Sequence, residues 1–155
     1  MATLDNLSLE LASAPGIPGL RFRNWHDEHD LPGMLAVINA SKVADQEERH
    51  DTLEELTNTY THLTNCDPHQ DVLIAEVNDQ MVAYSRVTWW LEEKTQARYY
   101  VSFGFMRPEW RRKGLGSAML QHNQNRLREI AAGHPHDGPR AFESFISNYQ
   151  QGAQA

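Results

Sequence analysis

The chain has 155 residues, 40% apolar and 23% charged, with a net charge of −7: enough for one domain with a packed core, and too acidic overall for a general nucleic-acid binder. Its single cysteine, Cys66, excludes an internal disulfide and a cysteine-rich zinc site and fits a reducing compartment. No apolar run reaches the ~20 residues that span a bilayer, and MATLDNLSLELASAPGIPGL at the N-terminus lacks a basic start followed by an apolar block, so a cytoplasmic location is expected, with neither membrane nor nucleic acid as partner.

Residues 1–19 read as a tail closing on the Pro/Gly-rich APGIPG. LRFRNW at 20–25 alternates as a strand does. Helices are expected over 27–44 and 51–64, the second with Asp51 as its N-cap and Glu54 three residues on, a capping-box spacing. DVLIAEV at 71–77 and QMVAYSRVTWWLE at 80–92 read as strands joined by a two-residue hairpin at Asn78-Asp79. A further strand spans 97–106, where Gly104 implies a bulge or a close backbone approach. A helix over 115–132 stops at Gly133, and a last strand covers 139–147. The order β-α-α-β-β-β-α-β gives an α/β (α+β) domain with a mixed sheet flanked by helices.

The start of the 115–132 helix is built against helix stability. Arg111, Arg112 and Lys113 crowd an end that already carries roughly half a positive charge. Gly114 and Gly116 weaken the same turn. Both features make sense if a polyanion docks there. Unfilled N–H groups at a helix start bind anions, and glycines let a phosphate approach the backbone. The P-loop pattern is absent, and the dinucleotide fingerprint fails because Met119 stands where its third glycine belongs. What is met is Arg-x-x-Gly-x-Gly, after a strand and before a helix.

With its flanks, MRPEWRRKGLGSAML at 106–120 resembles the acetyl-coenzyme A binding motif of the GNAT superfamily of N-acetyltransferases, and the strand order around it resembles that acyl-CoA N-acyltransferase fold across residues 20–155. The resemblance implies transfer of an acetyl group from acetyl-CoA to a small-molecule or protein amine. It implies that Phe105 and Met106 lie on the strand end that pairs with the pantetheine arm. Arg111, Arg112, Lys113, Gly114, Leu115 and Gly116 would hold the pyrophosphate, mostly through main-chain N–H groups. Ser117 could add a hydroxyl, and Asn148 matches an asparagine that often contacts the cofactor. HLTNCDP at 62–68 and SRVTWW at 85–90 further resemble the N-terminal half of tandem, mycothiol-synthase-like acetyltransferases. Family members continue past Asn148 through a helix and two strands, so the domain is expected to be C-terminally incomplete, to lack the usual tyrosine acid, and to call for a second acetyltransferase domain or a homo-oligomer. The alternative is a non-catalytic half that binds coenzyme A or scaffolds a neighbour.

Direct attack of an amine on a thioester needs a base or water relay and donors for an oxyanion. Glu143 on the last strand and Tyr100 on the central one are the candidate relays, and a main-chain N–H near Met106 is the oxyanion donor that the resemblance implies. His26 and His29 in WHDEHD read as a solvated helix start rather than a metal cluster, so no metal is expected. GHPHDG at 133–138 reads as a polar loop. Cys66 has no cation beside it in sequence and reads as a packing residue.

Overall fold

Four apolar or alternating runs and one C-terminal strand build the sheet. The computed structural model describes residues 8–48 and 50–146. Strands β1 (Leu20–Asn24), β2 (Val72–Val77), β3 (Gln80–Glu92), β4 (Ala97–Met106) and β5 (Arg140–Ile146) lie in the order β1-β2-β3-β4-β5. The first three pairings are antiparallel and β4–β5 is parallel. A parallel pair needs a crossover, and α4 (Leu115–Ala132) supplies it. Asn78 and Asp79 both hold positive φ, 51° and 68°, the backbone that a two-residue hairpin loop with strand-matched twist demands.

Helix α1 (Leu31–Ala44) follows a 3-10 turn at Glu28–Asp30 and carries Pro32 in its first turn, where a missing N–H costs nothing. It buries Leu31, Met34, Val37, Ile38 and Ser41, one face at helical spacing. Helix α2 (Leu53–Thr61) is shorter than the expected 51–64 at both ends, and its cap lies one residue later. Thr52, not Asp51, is its N-cap: the hydroxyl accepts from the Glu55 N–H at 3.2 Å and donates to the Glu55 carboxylate at 3.1 Å. Asp51 is occupied elsewhere. Its N–H and C=O both bond the Asn39 amide, at 3.1 and 3.2 Å, and its carboxylate pairs with Lys42. A one-turn helix, α3 (Pro68–Asp71), capped by Asp67, precedes β2; four residues carry no periodicity to read.

The sheet separates two cores. On one face α1 and α2 pack Met34, Val37, Ile38 and Leu56 against Ile74 and Tyr84. On the other, α4 lays Leu115, Ala118 and Met119 on Ala83 and Met106, and Leu127 and Ala131 on Val87 and Tyr100. Each large apolar side chain so buried contributes about 1.5–3 kcal/mol. One polar contact pins α4: Asn123 donates to the Ser85 and Ser102 hydroxyls at 2.8 and 3.0 Å, all three residues being buried. Residues 8–19, expected as a tail, pack onto the domain: Leu9 bridges Phe22, and Leu11 is buried in the α4-side core.

Gly104 marks a close approach and not a bulge. It pairs in register with Ser85, and a β carbon there would fall on the Tyr84 carbonyl oxygen and within 2.8 Å of the Ser85 Cβ. The register shift lies instead between β2 and β3, at Ala75 and Glu76.

Candidate functional site

The site is assembled where β4 hands over to α4. The Arg107 N–H bonds the Val82 carbonyl at 2.8 Å and its Nε bonds the Met81 carbonyl at 2.9 Å, fixing the exit from the sheet. A 3-10 turn at Pro108–Trp110 redirects the chain. Arg112 then takes φ 62° and Gly114 φ 84°, and α4 begins, its first helical bond running from the Ala118 N–H to the Gly114 carbonyl. Among the described residues, the main-chain N–H groups of Arg112, Lys113, Gly114, Leu115, Gly116 and Ser117 meet no protein acceptor. These are the orphan donors of a helix start, at the positive end of its dipole. Arg112, Lys113, Gly114 and Ser117 are exposed beside them. A diphosphate fits this donor set.

The three cations divide their work. The Arg111 guanidinium forks onto Asp45 at the end of α1, at 2.9 and 3.2 Å, and also donates to the Ser41 hydroxyl at 3.2 Å. Its side chain therefore ties the loop to α1, and only Arg112 and Lys113 keep their charge in solvent.

Phe105 and Met106 send their side chains to opposite faces. Phe105 packs against Tyr84, with ring centroids 5.8 Å apart, and Met106 is buried under α4. The described ladder between β4 and β5 stops at Gly104↔Ile146, two residues before β4 ends. Asn148 lies outside the described residues.

The two candidate relays are not brought together. Tyr100 is fully buried under Leu127 and Ala131, with its hydroxyl 2.7 Å from His134 Nδ1 and its ring stacked on Phe142 at 4.9 Å. At 1.5 Å per residue, Ala131 lies about 24 Å along α4 from Leu115, so Tyr100 sits by the far end of that helix from the loop. Glu143 is exposed and registers with Val101. Following Phe142 by one residue, it takes the opposite sheet face from Tyr100. His134, beside Tyr100, has its pKa lowered by burial and by the Arg98 and Arg140 charges.

Sequence reading missed a second cluster, on the α1/α2 face. There the Arg86 guanidinium lies 4.6 Å from the Phe103 ring centroid and 5.3 Å from that of Tyr60. Tyr60 stacks on Trp25 at 5.1 Å, and the Arg86 charge acts on both the Tyr60 phenol and the Cys66 thiol. Burial pushes the Tyr60 phenol up to about 12, against the pull of Arg86. It pushes the Cys66 thiol up to about 11, so the sulfur is a neutral thiol near pH 7. Alternation in YSRV put Tyr84 and Arg86 on one face, but nothing local said that the end of α2 would cover them.

The sequence pattern of the Acetyltransferase (GNAT) family matches residues 33–134. Comparison with curated proteins finds no significant match. Among solved structures, a GCN5-related N-acetyltransferase from Sphaerobacter thermophilus is similar over 87% of this chain, with TM-score 0.69 and 20% identity; this chain spans only 42% of that one. A predicted acetyltransferase with acetyl-CoA from Clostridium acetobutylicum aligns over 79% of each chain, with TM-score 0.59 and 18% identity. The aminoglycoside acetyltransferase meta-AAC0020, from an uncultured soil metagenomic sample, aligns over 88% of this chain and 85% of its own, with TM-score 0.59 and 13% identity. Those likenesses carry the fold, the mostly antiparallel sheet of the acyl-CoA N-acyltransferases. With the family pattern across about two thirds of its length, the chain belongs to the GNAT acetyltransferase family, a family of acyltransferases.

Proposed function

We propose that the chain transfers an acetyl group from acetyl-CoA to an amine. The observation that carries this reading is the row of unfilled main-chain N–H groups at 112–117, set at the end of β4 by two positive-φ residues. Those donors, with Arg112 and Lys113, would hold the diphosphate, and the Ser117 hydroxyl is free to join them. The end of β4 at Phe105 and Met106 would carry the pantetheine arm. Asn148 remains a proposed contact. The bound thioester supplies an activated acetyl group; the protein supplies orientation and a path for the amine proton. Glu143, exposed and on the α1/α2 face, is the better placed of the two relay candidates.

The test is release of free coenzyme A thiol from acetyl-CoA on adding primary amines: amino acids, polyamines, aminoglycosides and lysine peptides. Amine-dependent release, lost in Gly114→Asp, is expected. Tight binding of acetyl-CoA with no release on any amine would overturn the transfer reading. It would favour a second one, in which the chain is a coenzyme A-binding or scaffolding half of a tandem, mycothiol-synthase-like acetyltransferase. The length of the Sphaerobacter neighbour, of which this chain spans 42%, is the observation behind that alternative.

A further inference from the structure

Arg86 is the anomaly among the inward-lying arginines. Arg23 is held by Asp30 and Glu76, Arg98 by Asp137, Arg111 by Asp45 and Arg126 by Asp71. Arg140 reaches three main-chain carbonyls. Arg86 has no carboxylate within ion-pair distance among the described residues. Its neighbours are the Tyr60 and Phe103 rings and the Cys66 thiol, all neutral, and its Nε, like those of Arg98, Arg111 and Arg140, is buried without an acceptor. The acids nearest in sequence to Cys66 are engaged elsewhere. Asp71 accepts from Arg126 Nε at 2.7 Å and from the Asp67 N–H at 2.8 Å, and the Asp67 side chain caps α3. Arg86 is half-buried, so its charge is only partly hydrated and carries no counter-charge, which suits it to pair with an anion.

Its position says what that anion is attached to. Arg86 registers with Phe103 on β4, one pair before Gly104, where the described ladder to β5 stops. It faces α2 rather than α4. Two residues of strand, roughly 7 Å, separate it from Phe105, the strand end assigned above to the pantetheine arm. We propose that Arg86 anchors the acceptor, and that the acceptor is a small amine carrying a carboxylate. The proposal rests on the transfer reading for the word acceptor, but not for the anion site itself. A single guanidinium fork matches a carboxylate in charge and in its two oxygens. With the carboxylate on Arg86, the amine of a molecule of amino-acid size lies toward the end of β4. The flanking Tyr60 and Phe103 rings offer the charge no competing acceptor.

The probes are N-acetyl-L-amino acids, which are products under this reading, and their carboxamides. Binding is measured by calorimetry on the full chain, with and without coenzyme A, for the wild type, Arg86→Lys and Arg86→Met. At least one acid should bind roughly tenfold or more tighter than its amide. That ratio should fall to about one in R86M and partly survive in R86K, with acetyl-CoA affinity unchanged in both. Equal binding of acids and amides by the wild type, or an acid preference that persists in R86M, would overturn the proposal. Failure of acetyl-CoA to bind while the Arg86-dependent acid preference holds would remove the transfer reading and leave the anion site standing.

Discussion

At the scale of single residues, buried charge is spent with care. Arg23 is 7% exposed and forks onto Asp30 at 2.7 and 3.1 Å, with Glu76 at 3.1 Å. Burial works against its charge, but the bonds to Asp30 and Glu76 outweigh that and raise its pKa. Asp30→Ala removes one of the two acids that hold this buried charge; breaking a buried pair costs about 3–5 kcal/mol when no partner is left, and with Glu76 retained a smaller loss is expected. Urea unfolding should show that loss, with part of it recovered in the double variant Arg23→Met/Asp30→Ala; an unchanged midpoint for the single variant would refute the role. Two histidines set a pH dependence. His122 is lowered by burial, and His134 by burial and by Arg98 and Arg140. Each native imidazole binds its proton later than the unfolded one does, so the unfolded state takes up protons first as pH falls below about 6.5, and stability falls with it. Thermal melts should drop between pH 7 and pH 5.5, less steeply in His122→Gln/His134→Gln. Parallel pH profiles for the two proteins would contradict this.

Among the elements, what could be read in sequence was what is local. The hairpin at Asn78-Asp79 and the glycine loop before α4 are set by residues whose own φ decides the outcome, so their letters suffice. Thr52 displaced Asp51 as the α2 cap because Asn39 and Lys42, from α1, had already claimed Asp51; that competition is tertiary. The Asn123–Ser85–Ser102 contact and the Arg86 cluster depend on strand register and on which helix covers which face, and no window of sequence contains them. Gly104 lies between these cases: its letter left a bulge or a close approach open, and the pairing with Ser85 decided for the approach. Gly104→Ala must push β3 and β4 apart at Tyr84 and Ser85. A loss of about 1–3 kcal/mol is expected from such overpacking, read as a lower melting temperature. A melt equal to wild type would show that the strands yield there at no cost.

For the molecule as a whole, the net charge of −7 and the basic loop are opposed. The excess of acids repels a polyanionic ligand at long range, while Arg112, Lys113 and the α4 N-terminus attract it locally. Such contacts are screened over about 8 Å at physiological ionic strength. Acetyl-CoA affinity should therefore weaken as salt rises, and Arg112→Gln/Lys113→Gln should flatten that dependence. At the loop itself, a β carbon on Gly114 would meet only Pro15, at 3.5 Å, so its φ of 84°, not crowding, calls for glycine. Gly114→Asp adds a carboxylate where phosphate is expected, along with strain of about 1–2 kcal/mol for a left-handed residue. The most direct measurement is calorimetric titration of acetyl-CoA into the wild type and Gly114→Asp, with melting curves to confirm that both are folded. The wild type should bind, and the folded variant should lose at least about tenfold in affinity. Equal affinity in the two proteins would contradict the placement of the diphosphate at the start of α4.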